Sequence, residues 1–265
     1  MDDGDEDEIW DDGLPNYRTA DEISSSEISI ALGSLFLLGR DPYLSMQITG
    51  IAVVDQFIMG LEYDVLQELR ETERTPPGAF FLSAQTQMWI FAVYELLRTW
   101  RERAKDIIKL AKNGGLELKI QALEKKLPYR HYGQELRASQ LRKVVSDPGI
   151  VETIAADLRL THILFANLEH IRVSMAKHQV SGKAKSIAFA PGYGRINQWC
   201  GSLEYQLEAG QAIFGNISRR DIAEAIRSFN DRSTIPTVED IADFAESRKA
   251  IATMPLDFPT DDQDF

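Results

Sequence analysis

The chain has 265 residues, 44% of them hydrophobic, enough for one large domain or two small ones with a real core. Its one cysteine, Cys200, excludes an intramolecular disulfide and suits a reducing cytoplasm. The net charge of −12 sits at the ends: residues 1–12 carry eight acids and no base, residues 255–265 four acids and no base, and the rest is neutral. Within that neutral body, residues 98–143 hold thirteen Lys/Arg against five Asp/Glu, so a polyanionic partner is not excluded. The same sector also reads as a solvated helical face.

The acidic N-terminus has neither the basic nor the apolar region of a signal peptide. The apolar stretches 28–38 and 48–61 are interrupted by Gly33, Asp55 and Gly60, and neither is expected to span a membrane. Residues 1–21 and 251–265 read as acidic disordered ends flanking a single domain over 22–250. The expected location is the cytoplasm.

Residues 22–38 are ambiguous, because Ile28, Ile30 and Leu32 alternate like a strand before the continuous apolar run Leu35–Leu38. Asp41-Pro42 then starts a helix over 44–71, and Thr75-Pro76-Pro77-Gly78 breaks it. A second helix spans 84–112 with Ser83 as its cap and Asn113-Gly114-Gly115 as its stop. Its apolar stripe runs through Trp89, Val93, Leu97, Trp100 and Ala104, which should leave Arg98, Arg101, Lys105 and Lys109 facing away. Shorter helices are expected over 116–127 and 134–145.

One long helix is predicted over 148–180, with Asp147 as N-cap and Ser181-Gly182 as stop. After it, the segments 186–190, 195–199 and 203–207 suit a small β-meander over about 185–207. Two helices follow at 218–229 and 237–249, each opened by a Ser or Thr with Asp three residues on. The fold class is therefore mainly α, a helical bundle with a small late β-meander or hairpin.

The only four histidines are His131, His162, His170 and His178. The last three are spaced by eight, a rise of about 12 Å each, so they cannot share one metal ion on a single helix. No metal and no cofactor is expected. Gly192-Tyr193-Gly194-Arg195 reads as a turn, and Cys200 as packing rather than nucleophile. There is no GxSxG, HExxH or kinase motif.

The long helix ends on Arg172-Val-Ser-Met-Ala-Lys-His178. Arg172 and His178 lie about 60° either side of Met175 and roughly 9 Å apart along the axis, so a guanidinium and an imidazole border an apolar ridge. An imidazole can carry a proton to or from a ribose or leaving oxygen, and a guanidinium can hold a phosphate as charge develops. The same pair also reads as Arg172 bridging a carboxylate such as Glu169, with His178 closing a helix favourably.

The Arg-x5-His pattern resembles the R-x4-6-H motif of the HEPN superfamily (higher eukaryotes and prokaryotes nucleotide-binding), over roughly residues 44–182. That likeness implies a dimeric helical bundle that binds or cleaves RNA without metal, in a toxin or bacterial-defence context. Arg172 would be the phosphate binder and His178 the proton carrier. Val173 departs from the Asn, Asp or His that often follows the Arg. Lys177 and Arg195 are the nearest auxiliary cations, and Arg101, Lys105 and Lys109 share one helical face as a further substrate-binding strip. The Arg172–Met175–His178 ridge is the expected homodimer surface. Two alternatives stand beside this reading: a catalytically inert homodimeric interaction module, and a nucleotide-binding regulator.

Overall fold

The computed structural model describes residues 17–125, 131–180, 187–209 and 212–253. The chain is mainly helical, with a small three-stranded antiparallel sheet late in the sequence. A short helix, α1 (Glu27–Ser34), resolves the ambiguous start. The two longest helices, α2 (Pro42–Thr72) and α3 (Gly78–Lys112), form a hairpin at the centre. Asp41 caps α2 by accepting from the Tyr43 and Leu44 amides, and Pro42 occupies the first turn, where its missing N–H costs nothing. α3 begins six residues before the expected Ala84, since Gly78–Ser83 continues the helix without a polar cap.

The core runs along the inner faces of these helices. Trp89 and Trp100 are buried, and their indole N–H groups donate to the carbonyls of Ile51 (3.0 Å) and Phe36 (2.7 Å). The second bond helps hold the turn between α1 and α2, where Leu37 adopts φ 81. The Phe36 amide is tied from the other side by Asp157 at 2.9 Å, so the unusual backbone at Leu37 is pinned next door.

α4 (Leu116–Glu124) and α5 (Tyr132–Ser146) pair with each other. The single helix expected over 148–180 is two helices, α6 (Gly149–Leu160) and α7 (His162–Lys177), broken at Thr161. The break has a cause in side chains. The Thr161 hydroxyl donates back to the Asp157 carbonyl (3.0 Å), while the Arg101 guanidinium donates to Thr161 Oγ1 (2.6 Å) and the Leu158 carbonyl (3.0 Å). A Ser/Thr back-bond and a side chain inserted at the carbonyl ladder both bend helices.

The meander lies later than expected. β1 (Arg195–Ile196) pairs with β2 (Leu203–Ala209), and β2 with β3 (Ala212–Ser218), in the order β1-β2-β3. Residues 187–190 supply only an isolated bridge, Gln179 to Ile187. The third strand went unread because its inward and outward residues do not alternate cleanly. Ser218 and Asp221 then form the capping box that opens α8 (Arg219–Arg227), and α9 (Val238–Thr253) packs over the sheet and α7. Gly201 locks the sheet to α2: its φ is 74, and a Cβ there would lie 2.0 Å from the Glu62 carbonyl oxygen.

The N-terminal segment is ordered at least from Tyr17, earlier than residue 22. The Tyr17 hydroxyl donates to Asp221 (2.9 Å), and Arg18 pairs with Glu27 (2.9 Å) and Glu224 (2.7 Å). Residues 1–16 and 254–265, most of the two acidic ends, lie outside the described residues, as does the expected Ser181-Gly182 stop.

Candidate functional site

α7 ends at Lys177, and His178 follows in the left-handed region at φ 54. Its amide donates to the Ser174 carbonyl (2.9 Å), and its carbonyl accepts from the Ala188 amide (3.1 Å). The backbone of His178 is thus fixed from both sides, while its imidazole is exposed. One turn and a half earlier, the half-buried Arg172 lays its guanidinium over the Tyr94 ring, 5.4 Å from the centroid. Tyr94 stacks on Phe165 (5.3 Å, 12° between planes), and Arg101 lies over Phe165 at 4.8 Å. Two guanidinium groups therefore flank a stacked aromatic pair. Among the described residues Arg172 forms no ion pair, with Glu169 or with any other acid. Burial raises the Tyr94 hydroxyl above its ordinary pKa, and nearby Glu169 adds to the effect against Arg172.

The other expected site residues divide. Lys177, Arg195, Lys105 and Lys109 are exposed. Arg101 is not: it is buried at the α6/α7 break, where burial pushes its pKa down to about 10, so it does not face away with Lys105 and Lys109. Its bonds to Leu158 and Thr161 account for the placement. The apolar ridge is also different from expectation. Met175 is 9% exposed and packs within the chain's own core with Leu164, Leu168 and Ile171, so the ridge between Arg172 and His178 is already covered.

The histidines occupy three environments. His162 is half-buried, its pKa lowered by burial and then by Arg101, Lys105 and Arg248. His170 is buried edge-on to Phe214 (5.9 Å), and burial, with Arg248 adding, pushes it down to about 4. No group of three or more potential metal ligands occurs among the described residues. Gly192 is a turn with φ 72, tied to Gln87 Nε2 through its carbonyl at 3.3 Å. Cys200 is half-buried with its thiol pushed up to about 11 by burial, a poor nucleophile.

A second charged constellation was not read from the sequence. The Arg219 side chain, fully buried, holds Glu62 through Nε and Nη2, both at 2.6 Å, and Asp55 through Nη1. Arg227 bonds the other Asp55 oxygen and Glu224 (2.9 Å), and Arg220 approaches Glu62 at 3.4 Å. Burial opposes the charge on Arg219, but the attraction of Glu62 and Asp55 outweighs it and raises its pKa. For Arg227 burial prevails and lowers it. Two signals pointed here. Asp55 and Glu62 are seven apart, on the face of α2 that is otherwise apolar, so each needed a buried base. Arg219-Arg220 in the first turn of α8 runs against the helix dipole, so those cations needed a reason of their own.

Beside this network a cleft of about 630 Å³ opens between the N-terminal segment, α2 and the sheet. Tyr17, Tyr63, Trp199, Arg18, Arg70 and Arg220 line it, with Asp21 and Asp64 at its margin. Arg220 is 4% exposed, and its Nε has no hydrogen-bond partner.

No family model, curated protein or solved structure matches the chain. Function must therefore be argued from these two sites alone.

Proposed function

We propose that the C-terminal end of α7 is a HEPN-like RNA site, with Arg172 holding a phosphate and His178 moving a proton. The observation that carries this reading is that Arg172 has no carboxylate partner among the described residues. Its guanidinium carbon lies over the Tyr94 ring, so the cation is held against an aromatic face while its N–H donors stay unneutralised, the state a phosphate fork needs. Lys177 and the imidazole of His178 extend the same exposed end, and neither is paired among the described residues. Cleavage would need no metal: the imidazole takes the proton of a ribose 2′-hydroxyl as its oxygen attacks the adjacent phosphorus, and returns it to the 5′-oxygen as the P–O5′ bond breaks. Arg172 would offset the charge gathering on the phosphoryl oxygens. The test is hydrolysis of single-stranded RNA with a chelator present, wild type beside His178→Ala. Chelator-resistant cleavage that disappears in the variant supports the reading. Cleavage equal in both removes His178 from it.

A nucleotide-binding regulator is the second reading, and the cleft at Arg220 favours it. Arg220 gives its Nη groups to Glu62 and the Arg18 carbonyl but leaves Nε unbonded. Beside it the exposed rings of Tyr63 and Trp199 offer faces for a base, and the exposed Arg70 a charge for a phosphate. Titration of ATP against Trp199 fluorescence, with Trp199→Phe as control, tests it. A saturable change lost in the control supports nucleotide binding there.

A further inference from the structure

α2 is apolar on two faces, the inner one buried around Leu44, Ile48, Ile51, Ile58 and Val65 and the outer one bare. Its inner face carries the carboxylates Asp55 and Glu62, while its outer face carries Met46, Gly50, Val53 and Phe57 at steps of four, three and four. α3 continues that outer surface with Phe81, Ala84, Met88 and Ala92. The two helices are joined across it: Phe57 meets Phe81 edge to face (6.4 Å, 83°), and a groove of about 470 Å³ runs between Gly50, Val54, Met88 and Ala92. Gln47 and Gln85 also line the groove, and its one charged lining residue, Glu95, is paired with Arg98 (2.8 Å); along α2 the next exposed charge is Asp64.

Its size matters. Met46 is 74% exposed, Met88 65%, Val53 63%, Phe57 52% and Phe81 50%. At about 200 Å² per whole side chain these five alone leave roughly 600 Å² bare, and the small residues between them bring the face near the ~800 Å² that each partner contributes to a standard interface. Isolated monomers seldom expose more than about 300–600 Å² in one apolar patch.

Gly50 adds an independent observation. It lies inside a 31-residue helix and lines the groove, yet a Cβ there would meet nothing within 4 Å. Glycine weakens a helix interior, and no neighbour within the chain requires it here. Gly60 on the same helix is equally open, but only Gly50 faces this groove, where its bare backbone leaves room for a helix approaching from outside.

We infer that this face binds a second copy of the chain, the α2–α3 groove of each protomer receiving the other's α2 about a two-fold axis. An apolar surface whose one groove charge, Glu95, is already paired with Arg98 is self-complementary, since no unpaired charge on it repels its own image. A lipid surface fits less well: interfacial helices ring their apolar face with Lys and Arg, and here the bounding charges are mixed, Asp64 and the Glu95–Arg98 pair with Arg40 beyond the start of α2. The dimer seam thus lies on α2 and α3 rather than on Met175, and it is independent of any ligand at α7.

Light scattering and sedimentation of the full chain over a dilution series test the inference. Wild type is expected to be a dimer. Met88→Glu and Gly50→Leu are each expected to weaken self-association about thirtyfold or more. Helix content should be unchanged, because both positions face outward. Leu118→Glu, at an exposed leucine on α4, serves as control and should leave the dimer intact. Gly50→Cys in a Cys200→Ser background should form an intermolecular disulfide under oxidation. A monomer at all concentrations would overturn the inference, as would a dimer indifferent to both substitutions. Wild type that floats with phosphatidylcholine vesicles but stays monomeric in buffer would overturn it in favour of lipid.

Discussion

The molecule treats its arginines in two opposite ways. Arg219 is sealed between α2 and α8, every carboxylate around it engaged, with Glu62 gripped through two nitrogens and Asp55 shared with Arg227. Arg172 is half-exposed at the end of α7 and has an aromatic ring beneath it but no acid paired with it among the described residues. Arg219, fully buried, would carry an uncompensated charge without Glu62 and Asp55, so its partners are fixed by folding. A surface guanidinium without an acid is tolerable, and its donors stay available to a ligand. The difference teaches that the denser charge cluster is architecture, and that the sparse one is the better candidate for chemistry.

The largest expected effect comes from unbalancing the buried cluster. Asp55→Ala leaves Arg219 and Arg227 short of a partner and should cost about 3–5 kcal/mol of stability, measured by urea unfolding. Because a well-packed apolar exchange of a whole ion pair can be neutral, a joint Asp55→Leu and Arg227→Met change should cost less than the sum of the single changes. Additive losses would mean that the pair is not coupled.

His170 is next. The folded chain holds its pKa near 4, while an unfolded chain protonates it at about 6.5, so the unfolded state binds more protons between those values. Stability should therefore fall as pH drops from about 6.5 towards 4, by ~3 kcal/mol at most for this group, and level off below. His170→Asn should remove that slope from the pH dependence of thermal unfolding. An unchanged slope would assign it to other groups.

Arg101 separates the two arginine classes within one sequence sector. Its side chain closes the α6/α7 break through Thr161 and Leu158, so Arg101→Met should cost about 2 kcal/mol, whereas Lys105→Ala should fall within about 0.5 kcal/mol. Equal effects would return Arg101 to the solvated face.

What the sequence made legible follows local physics. Caps and breakers placed α2, α8 and α9 to within a few residues, because Asp41, Ser218 and Thr237 bond the amides of their own first turns. The break at Thr161 was not legible: it depends on Arg101, sixty residues away, and the apolar rows of α6 and α7 run through it without a change of period. Met175 was misplaced for a related reason, since periodicity tells which residues are apolar but not whether the chain's own sheet and helices cover them. At the candidate site the Arg172–His178 spacing was readable, but the aromatic support from Tyr94 and Phe165 was not, because those rings arrive from separate helices. The ionic cluster joins α2 to α8 across more than 150 residues, and single-sequence spacing cannot announce it.

A small expected effect on stability belongs to the residue with the largest expected effect on function. Arg172→Ala removes one exposed cation–π contact and should alter stability by about 0.5–1 kcal/mol. The measurement that bears most directly on the account is fluorescence anisotropy of a single-stranded RNA, wild type beside Arg172→Ala, from about 50 to 200 mM salt. The account predicts that wild type binds with a steep loss of affinity as salt rises, and that Arg172→Ala binds more weakly with a slope shallower by about one phosphate contact. Absence of RNA binding by wild type, or identical affinity and slope in the variant, would contradict it.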